Sequence, residues 1–301
     1  MGAFDGGSLV GKVAIVTGAG QGLGRCHAEL LAAEGASVVV NDLGDGADAT
    51  AAAIVAAGGT AVAHRCDVTD WQAAEDMVGA AVDTFGDLHI LVNNAGFVRD
   101  AMSFSMTEEQ FDSVVAVHLK GHFAPSRAAG KLWRDAAKAA GDGAELPARR
   151  IITTTSESGL FGGPAQGNYG SAKGGIVTMT LILARELVRY GVTVNCIAPR
   201  ARTPMTEAMP MFTAPESGFD GYDPANVSPT VAWLASDAAG DVNGQVFVVL
   251  GDSVHRVEPT VIASSVSNGG QRWTVDQLTD ASADLFAGAD SGIPAWGGPA
   301  M

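Results

Sequence analysis

Val13-Ala-Ile-Val16 runs directly into Thr17-Gly-Ala-Gly-Gln-Gly-Leu-Gly24, and a stretch of helical period follows at once. Four apolar residues without alternation read as a strand covered on both faces, which is the habit of a parallel sheet. Glycines at a strand-to-helix turn let the backbone approach a pyrophosphate. The helix N-terminus adds free N–H groups and a positive dipole end. A Gly-rich turn alone is a weak signal, but this one stands between a strand and a helix, as phosphate binding requires.

Outward from this turn the pattern repeats for about 250 residues, apolar runs alternating with helical segments. Gly22 to Gly35 reads as a helix, Ser37 to Asn41 as a strand, and Gly46 to Ala57 as an Ala-rich helix. Thr60 to Asp67 is strand-like, Asp70 to Phe85 helical, and His89 to Asn93 a short apolar strand. Thr107 to Ala140 is expected as one long helix opened by the capping box Thr107-Glu-Glu-Gln110, with Pro125 kinking or breaking it. Arg150 to Thr154, Thr193 to Ile197 and Gln245 to Leu250 read as strands, Gly167 to Tyr190 and Val227 to Ala235 as helices. Such alternation predicts an α/β fold, a doubly wound parallel sheet with right-handed crossovers.

Pro199 to Pro229, rich in Pro, Met and Gly, has no period and is expected as a substrate loop; Met205, Met209 and Met211 suit an adaptable apolar lid. The last fifty residues break the rhythm. Val261 to Ser267 is expected as a strand, Thr274 to Phe286 as a helix capped by Thr274, and Gly288 to Met301 as a tail. The organisation expected is a domain over residues 1–251, with its loop at 199–229, and a C-terminal extension over 252–301.

Composition narrows the function. With 33 acidic against 18 basic residues the formal charge is −15, which argues against a nucleic-acid partner, since phosphate contacts need clustered Lys and Arg. No apolar run is long enough for a membrane span, and no signal peptide is visible. Cys26, Cys66 and Cys196 form no C-x-x-C pair and read as free thiols in a reducing cytoplasm. His118 and His122 lie four apart, but no third ligand at a sensible spacing accompanies them, so no metal site is expected.

Two further residue sets carry chemistry. Asp42 ends the second strand about 20 residues after the glycine turn, where a carboxylate accepts hydrogen bonds from ribose hydroxyls. A 2′-phosphate there would meet its charge, with no Arg or Lys adjacent in sequence, so NAD is favoured over NADP. Tyr169 and Lys173, four apart, share a helix face. An ammonium beside a phenol favours phenolate, making Tyr169 a candidate general acid/base for a carbonyl or alcohol.

Taken in order, these motifs resemble the short-chain dehydrogenase/reductase family over residues 9 to 251. They are Thr17-Gly18-x-x-x-Gly22-x-Gly24, Asp67-Val68, Asn93-Asn94-Ala95-Gly96, Ser156, Tyr169-x-x-x-Lys173 and Asn195-x-Ile-x-Pro199. The resemblance implies a single Rossmann-type domain in which Tyr169 transfers the proton, Ser156 polarises the substrate oxygen, and Lys173 binds the nicotinamide ribose and lowers the Tyr169 pKa. It further implies NAD held by Gly18, Gln21, Gly22, Leu23, Gly24, Asp42, Asp67, Val68, Asn94, Ala95, Gly96, Tyr169, Lys173, Pro199 and Thr203.

Two departures stand out. His118, in Val117-His-Leu-Lys-Gly121, replaces the usual fourth catalytic residue, an Asn, and Pro199-Arg200 replaces Pro-Gly. With Val40-Asn-Asp-Leu-Gly44 and the C-terminal extension, they resemble the subgroup that includes the dehydrogenase unit of peroxisomal multifunctional enzyme type 2, here as a stand-alone, actinobacterial-type member. This implies interconversion of a secondary alcohol and a ketone, on a 3-hydroxyacyl-CoA or a hydroxysteroid, in a homo-oligomer, a tetramer or a dimer. A 3-oxoacyl thioester reductase and a non-catalytic NAD-binding module are the alternatives. Arg200 and Arg202 could grip a CoA phosphate or pair with local carboxylates. Glu157 is expected to face solvent or a backbone donor, and Ser158 to be a pocket or turn residue.

Overall fold

The four residues of β1 (Val13–Val16) are all buried, and their alternation serves two cores at once. Ala14 and Val16 join one hydrophobic cluster, Val13 and Ile15 the other. The structure is a computed structural model that describes residues 7–141, 143–203, 212–258 and 260–298.

The other strands are β2 (Ser37–Asp42), β3 (Thr60–Arg65), β4 (Ile90–Asn93), β5 (Arg149–Thr154), β6 (Val192–Arg200), β7 (Val246–Leu250) and β8 (Ser253–Val257). Among the described residues they form one sheet in the order β3-β2-β1-β4-β5-β6-β7-β8. All neighbours pair in parallel except β7 and β8, which are antiparallel. One face carries α1 (Gly22–Ala33), α2 (Gly46–Ala56) and α8 (Ser228–Ala235), which pack Leu31, Ile54 and Leu234 into the first cluster. The opposite face carries α3 (Trp71–Phe85), α5 (Gly121–Ala140) and α7 (Gly167–Leu187), with Met77, Trp133 and Ile176 in the second. The chain order turns back between β1 and β4. That switch point opens a crevice beyond the strands' C-terminal ends, the place where an open α/β sheet binds ligands.

Helix starts follow their sequence signals. Asp70 caps α3 by accepting the Ala73 N–H at 2.9 Å, and Thr107 and Gln110 form the expected box at α4 (Glu108–Val115). The long helix expected over Thr107 to Ala140 is interrupted, however, ahead of Pro125 rather than at it. Ala116–Lys120 form a π turn, in which Gly121 N–H bonds the Ala116 carbonyl five residues back. The extra residue is taken up there, five residues before Pro125, which lies inside α5.

Two other expectations change. The segment 199–229 is not one loop: β6 runs through Arg200, a 3-10 turn spans Pro224–Val227, and α8 follows directly. Met205, Met209 and Met211 lie outside the described residues. Val261 to Ser267 forms no strand, and Val261 and Ile262 are exposed. The short α6 (Glu157–Phe161) and the edge strand β8 had no legible period.

The chain divides into two compact units, Met1–Val257 and Glu258–Met301. The second holds α9 (Val275–Asp280) and α10 (Ser282–Phe286). Thr274 caps α9 in a box with Gln277.

Candidate active site

The glycine turn meets the end of β4 so closely that side chains are excluded. Gly18 has φ +61°, and a Cβ on it would lie 2.6 Å from Ala95 Cα. Asn94 stitches the contact, its Nδ2 donating to the carbonyls of Thr17 and Gly18 at 3.0 and 3.1 Å. Thr17 Oγ1 accepts the N–H groups of Asn94 and Ala95. The result is a cleft along the α1 N-terminus. It is lined by the expected Gly18, Gln21, Gly22, Leu23 and Gly24 of the turn, by Asp42, Asp67 and Val68, and by Asn94, Ala95, Gly96 and Thr203. Asn41, Leu43 and Val117, which belong to the two subgroup motifs, also line it, as do Cys66 and Phe97, which no motif marked.

Exposed backbone N–H groups at a helix start, a side-chain-free approach and a carboxylate at the β2 terminus suit a dinucleotide. Asp42 Oδ2 accepts the Gly20 N–H at 2.9 Å, which fixes the carboxylate against the turn. In the β2–β3 ladder Asp42 stands opposite Arg65, a cation that sequence adjacency did not reveal. Arg65 is already engaged by Asp45 and by Asp48, the latter at 2.5 Å.

Beyond the cleft, β5 and α7 bring the reactive side chains together. Lys173 is 3% exposed and donates from Nζ to the Thr154 carbonyl at 2.7 Å. The same Nζ lies 5.5 Å from the Tyr169 ring centre. Burial depresses the Lys173 pKa to about 7. Burial also raises the Tyr169 phenol above its usual value, against the lowering effect of a hydrogen bond with Ser156. The resemblance implies that Lys173 lowers the Tyr169 pKa; in the structure burial is the largest influence on the phenol, and it raises the pKa. Ser156 caps α6, its side chain accepting the Ser158 N–H at 3.3 Å. Asn168, which no motif flagged, aligns the start of α7 by donating to the carbonyls of Arg99 and Gln110 at 3.0 and 2.9 Å.

His118 sits in the π turn, edge-on to Tyr169 with ring centres 5.1 Å apart. Its Nε2 lies 2.6 Å from the Phe97 carbonyl, and its buried Nδ1 has no partner. Burial, and secondarily the charge of Lys173, lower its pKa to about 3. The ring is therefore neutral at ordinary pH, and the repulsion that a charged His118 would exert on Lys173 does not arise. Nε2 also lies 3.2 Å from the Phe97 N–H, so both backbone groups of that residue face the one ring nitrogen.

Both arginines of the β6 end are paired. Arg200 meets Glu157 through two hydrogen bonds, Nε to Oε2 at 2.8 Å and Nη2 to Oε1 at 2.6 Å. Glu157 is thus neither turned to solvent nor satisfied by backbone. Arg202 pairs with Asp220 and donates to the Phe212 carbonyl at 2.9 Å. Of the two readings of these arginines, local carboxylate pairing holds. Ser158 donates to Gln166 Oε1 at 2.5 Å, and Gln166 in turn to Asp100 at 3.1 Å, the work of a turn residue.

Residues 12–211 match the short chain dehydrogenase family. The chain belongs to that family. It is 46% identical to the hydroxyacyl-CoA dehydrogenase ChsB1 of Mycobacterium tuberculosis, over 94% of this chain and 90% of the relative. The peroxisomal multifunctional enzyme type 2 of Mus musculus is 39% identical over 79% of this chain, which spans 31% of that longer protein. A crystal structure of a short chain dehydrogenase from Mycobacterium avium superposes with a TM-score of 0.86 at 46% identity, covering 97% of this chain and all of that one. The single Rossmann-like domain and the subgroup likeness read from the motifs are borne out. This short-chain dehydrogenase is an oxidoreductase that acts on small molecules with a nicotinamide cofactor. Among the described residues no helix is long and apolar enough to cross a membrane.

Proposed function

We propose that this enzyme interconverts a 3-hydroxyacyl-CoA and its 3-oxoacyl form, using NAD. The observation that carries the reading is the convergence of Ser156, Tyr169 and Lys173 beside the dinucleotide cleft, in a chain so similar to a hydroxyacyl-CoA dehydrogenase. A nicotinamide held in this cleft would supply the hydride acceptor for oxidation and the hydride donor for reduction. Ser156 holds the substrate hydroxyl by hydrogen bonding, and Tyr169 takes its proton. Lys173, with a pKa about 7 and tethered to the Thr154 carbonyl, is poised to exchange a proton near neutral pH. Pro199 and Thr203 would hold the carboxamide end of the cofactor, and Thr203 lines the cleft. Through its contacts with the Phe97 N–H and carbonyl, His118 orients the 94–97 segment and sets its ring edge-on beside Tyr169.

Asp42 supports NAD over NADP, and Arg65 does not offset it, being engaged by two carboxylates. Every proposed site residue lies in 1–251, with the substrate loop inside 199–229, and the extension 252–301 carries none. Three free cysteines support a reducing, cytoplasmic setting. Exposed Phe111, Phe123 and Ile182 on the long helices support a homo-oligomer, a tetramer or a dimer.

The test is NAD reduction across 3-hydroxyacyl-CoA thioesters of rising chain length, a 17β-hydroxysteroid and small polyols. Turnover is expected on the thioesters, with Tyr169→Phe lowering kcat by about 10² to 10⁴. Steroid oxidation without thioester oxidation would overturn the substrate assignment. Tight NADH binding with no turnover on any alcohol would point instead to a binding module.

A further inference from the structure

β5 and β6 run side by side in register as far as Thr154 opposite Ile197, and one more backbone bond, from Thr155 N–H to the Ile197 carbonyl at 2.7 Å, closes the ladder. Past that rung the two chains part. β5 turns at Ser156 into α6, while β6 continues through Pro199 to Arg200 and pairs on its other side with β7. Three residues beyond the last register pair on each strand, Glu157 and Arg200 reach across and form the two hydrogen bonds described above. Their side chains are 11% and 9% exposed. The pair therefore replaces the missing backbone rungs at the point where the strands separate.

What lies between rung and fork is specific. On one strand it is Ser156, on the other Ala198 and Pro199. A proline offers no N–H, so Pro199 cannot donate the next rung of the ladder toward the Ser156 turn. A planar guanidinium meeting a carboxylate at two points fixes both distance and orientation, which a single lysine contact does not. Burying two charges is poor as a source of stability, since well-packed apolar residues serve as well. What an ion pair of this geometry supplies is a defined position for the backbone on either side of it.

We propose that Glu157 and Arg200 are positioning residues that hold the Ser156 hydroxyl in line with Tyr169, locking the Ser156 turn to the β6 segment at Pro199. The inference rests on the catalytic reading of Ser156 given above. Neither charged group lines the dinucleotide cleft, and the role assigned to the pair is the placement of its neighbours. Arg200, where the family's usual residue is glycine, then has its counterpart in Glu157.

Removing one partner would leave a buried charge, so the informative variant removes both. Glu157→Met/Arg200→Met is made in the full-length protein and compared with Arg200→Lys, with Ser156→Ala, and with the triple variant carrying all three changes. Each is assayed for thermal midpoint, NADH affinity, and kcat and KM for oxidation of 3-hydroxybutyryl-CoA. The double variant is expected to keep wild-type NADH affinity and substrate KM while kcat falls about 10- to 100-fold, the scale of an ångström-sized misplacement. Arg200→Lys, which keeps the charge but not the fork, is expected to lie between it and wild type. The decisive comparison is in the Ser156→Ala background, where removing the pair is expected to change kcat by less than about twofold, because the group it positions is already gone. Multiplicative losses in the triple variant, or a double variant with wild-type kcat, would overturn the proposal while leaving Ser156 in its role. If Ser156→Ala itself keeps wild-type kcat, the catalytic reading fails first, and this inference with it.

Discussion

Asp42 shows how one side chain does two jobs. It accepts the Gly20 N–H, so it shapes the glycine turn, and its remaining acceptor capacity faces the cleft. Its place at the β2 terminus was legible because a carboxylate about 20 residues past a glycine turn is a spacing signal. Arg65 was not, since its adjacency exists only once β3 pairs with β2. The same limit hid the Glu157–Arg200 pair, whose members are 43 residues apart in the chain. Replacing Asp42 removes the charge that would repel a 2′-phosphate and leaves Arg65 nearby. In Asp42→Ala the ratio of kcat/KM for NAD over NADP is expected to fall at least about tenfold, corresponding to about 1.4 kcal/mol of lost discrimination. An unchanged ratio would show that coenzyme choice resides elsewhere.

At the scale of elements, the strands with uninterrupted apolar runs and the helices with caps were readable, because burial on both faces and unsatisfied N–H groups each leave a local mark. α6 was not readable: five residues carry no period, and its start depends on Ser156 capping. β8, Ser-Val-His-Arg-Val, is largely exposed at the sheet edge and lacks the apolar run by which its neighbours were found. The π turn escaped notice because Pro125 drew the expectation toward itself. That turn places His118 against Gly96, where an added Cβ would come 2.1 Å from His118 Cε1. Gly96→Ala is therefore expected to displace the ring, weaken NADH binding by about tenfold or more, and destabilise the fold by about 1–3 kcal/mol, the usual penalty of overpacking. Removing the obstacle in Gly96→Ala/His118→Ala should restore much of the NADH affinity. Titration of NADH fluorescence against both variants checks this, and equal losses in the two would refute the steric account.

For the molecule as a whole, the distribution of buried histidines sets the acid side of stability. His27 is fully buried with Nδ1 2.8 Å from Ser228 Oγ, and desolvation lowers its pKa to about 3; His118 is lowered to the same region. A base whose folded pKa lies below its unfolded value of about 6.5 binds its proton more readily when unfolded. Stability from such a group is complete above the unfolded pKa and is lost as pH falls from there toward the folded one. Urea unfolding of the wild type should accordingly show a stability that declines steeply below about pH 6. In His27→Gln the slope between about pH 4 and pH 6 should be shallower by close to one proton, or about 1.4 kcal/mol per pH unit. An identical slope would mean that His27 does not stay neutral in the fold.

The meeting of Gly18 with Ala95 has a consequence for how the chain is made. Thr17 and Asn94, which bond each other across that contact, are 77 residues apart. On a ribosome the glycine turn emerges first, with β2 and β3 soon after, yet its far wall does not exist until β4 has been synthesised and has slid in beside β1. Parallel pairing over such a separation forms slowly, because a long loop must be closed before any contact rewards it. The nascent N-terminal third can therefore fold a glycine turn without gaining a coenzyme site. Coenzyme capture becomes a late event in biosynthesis, one that favours only chains whose central strand pair has already closed.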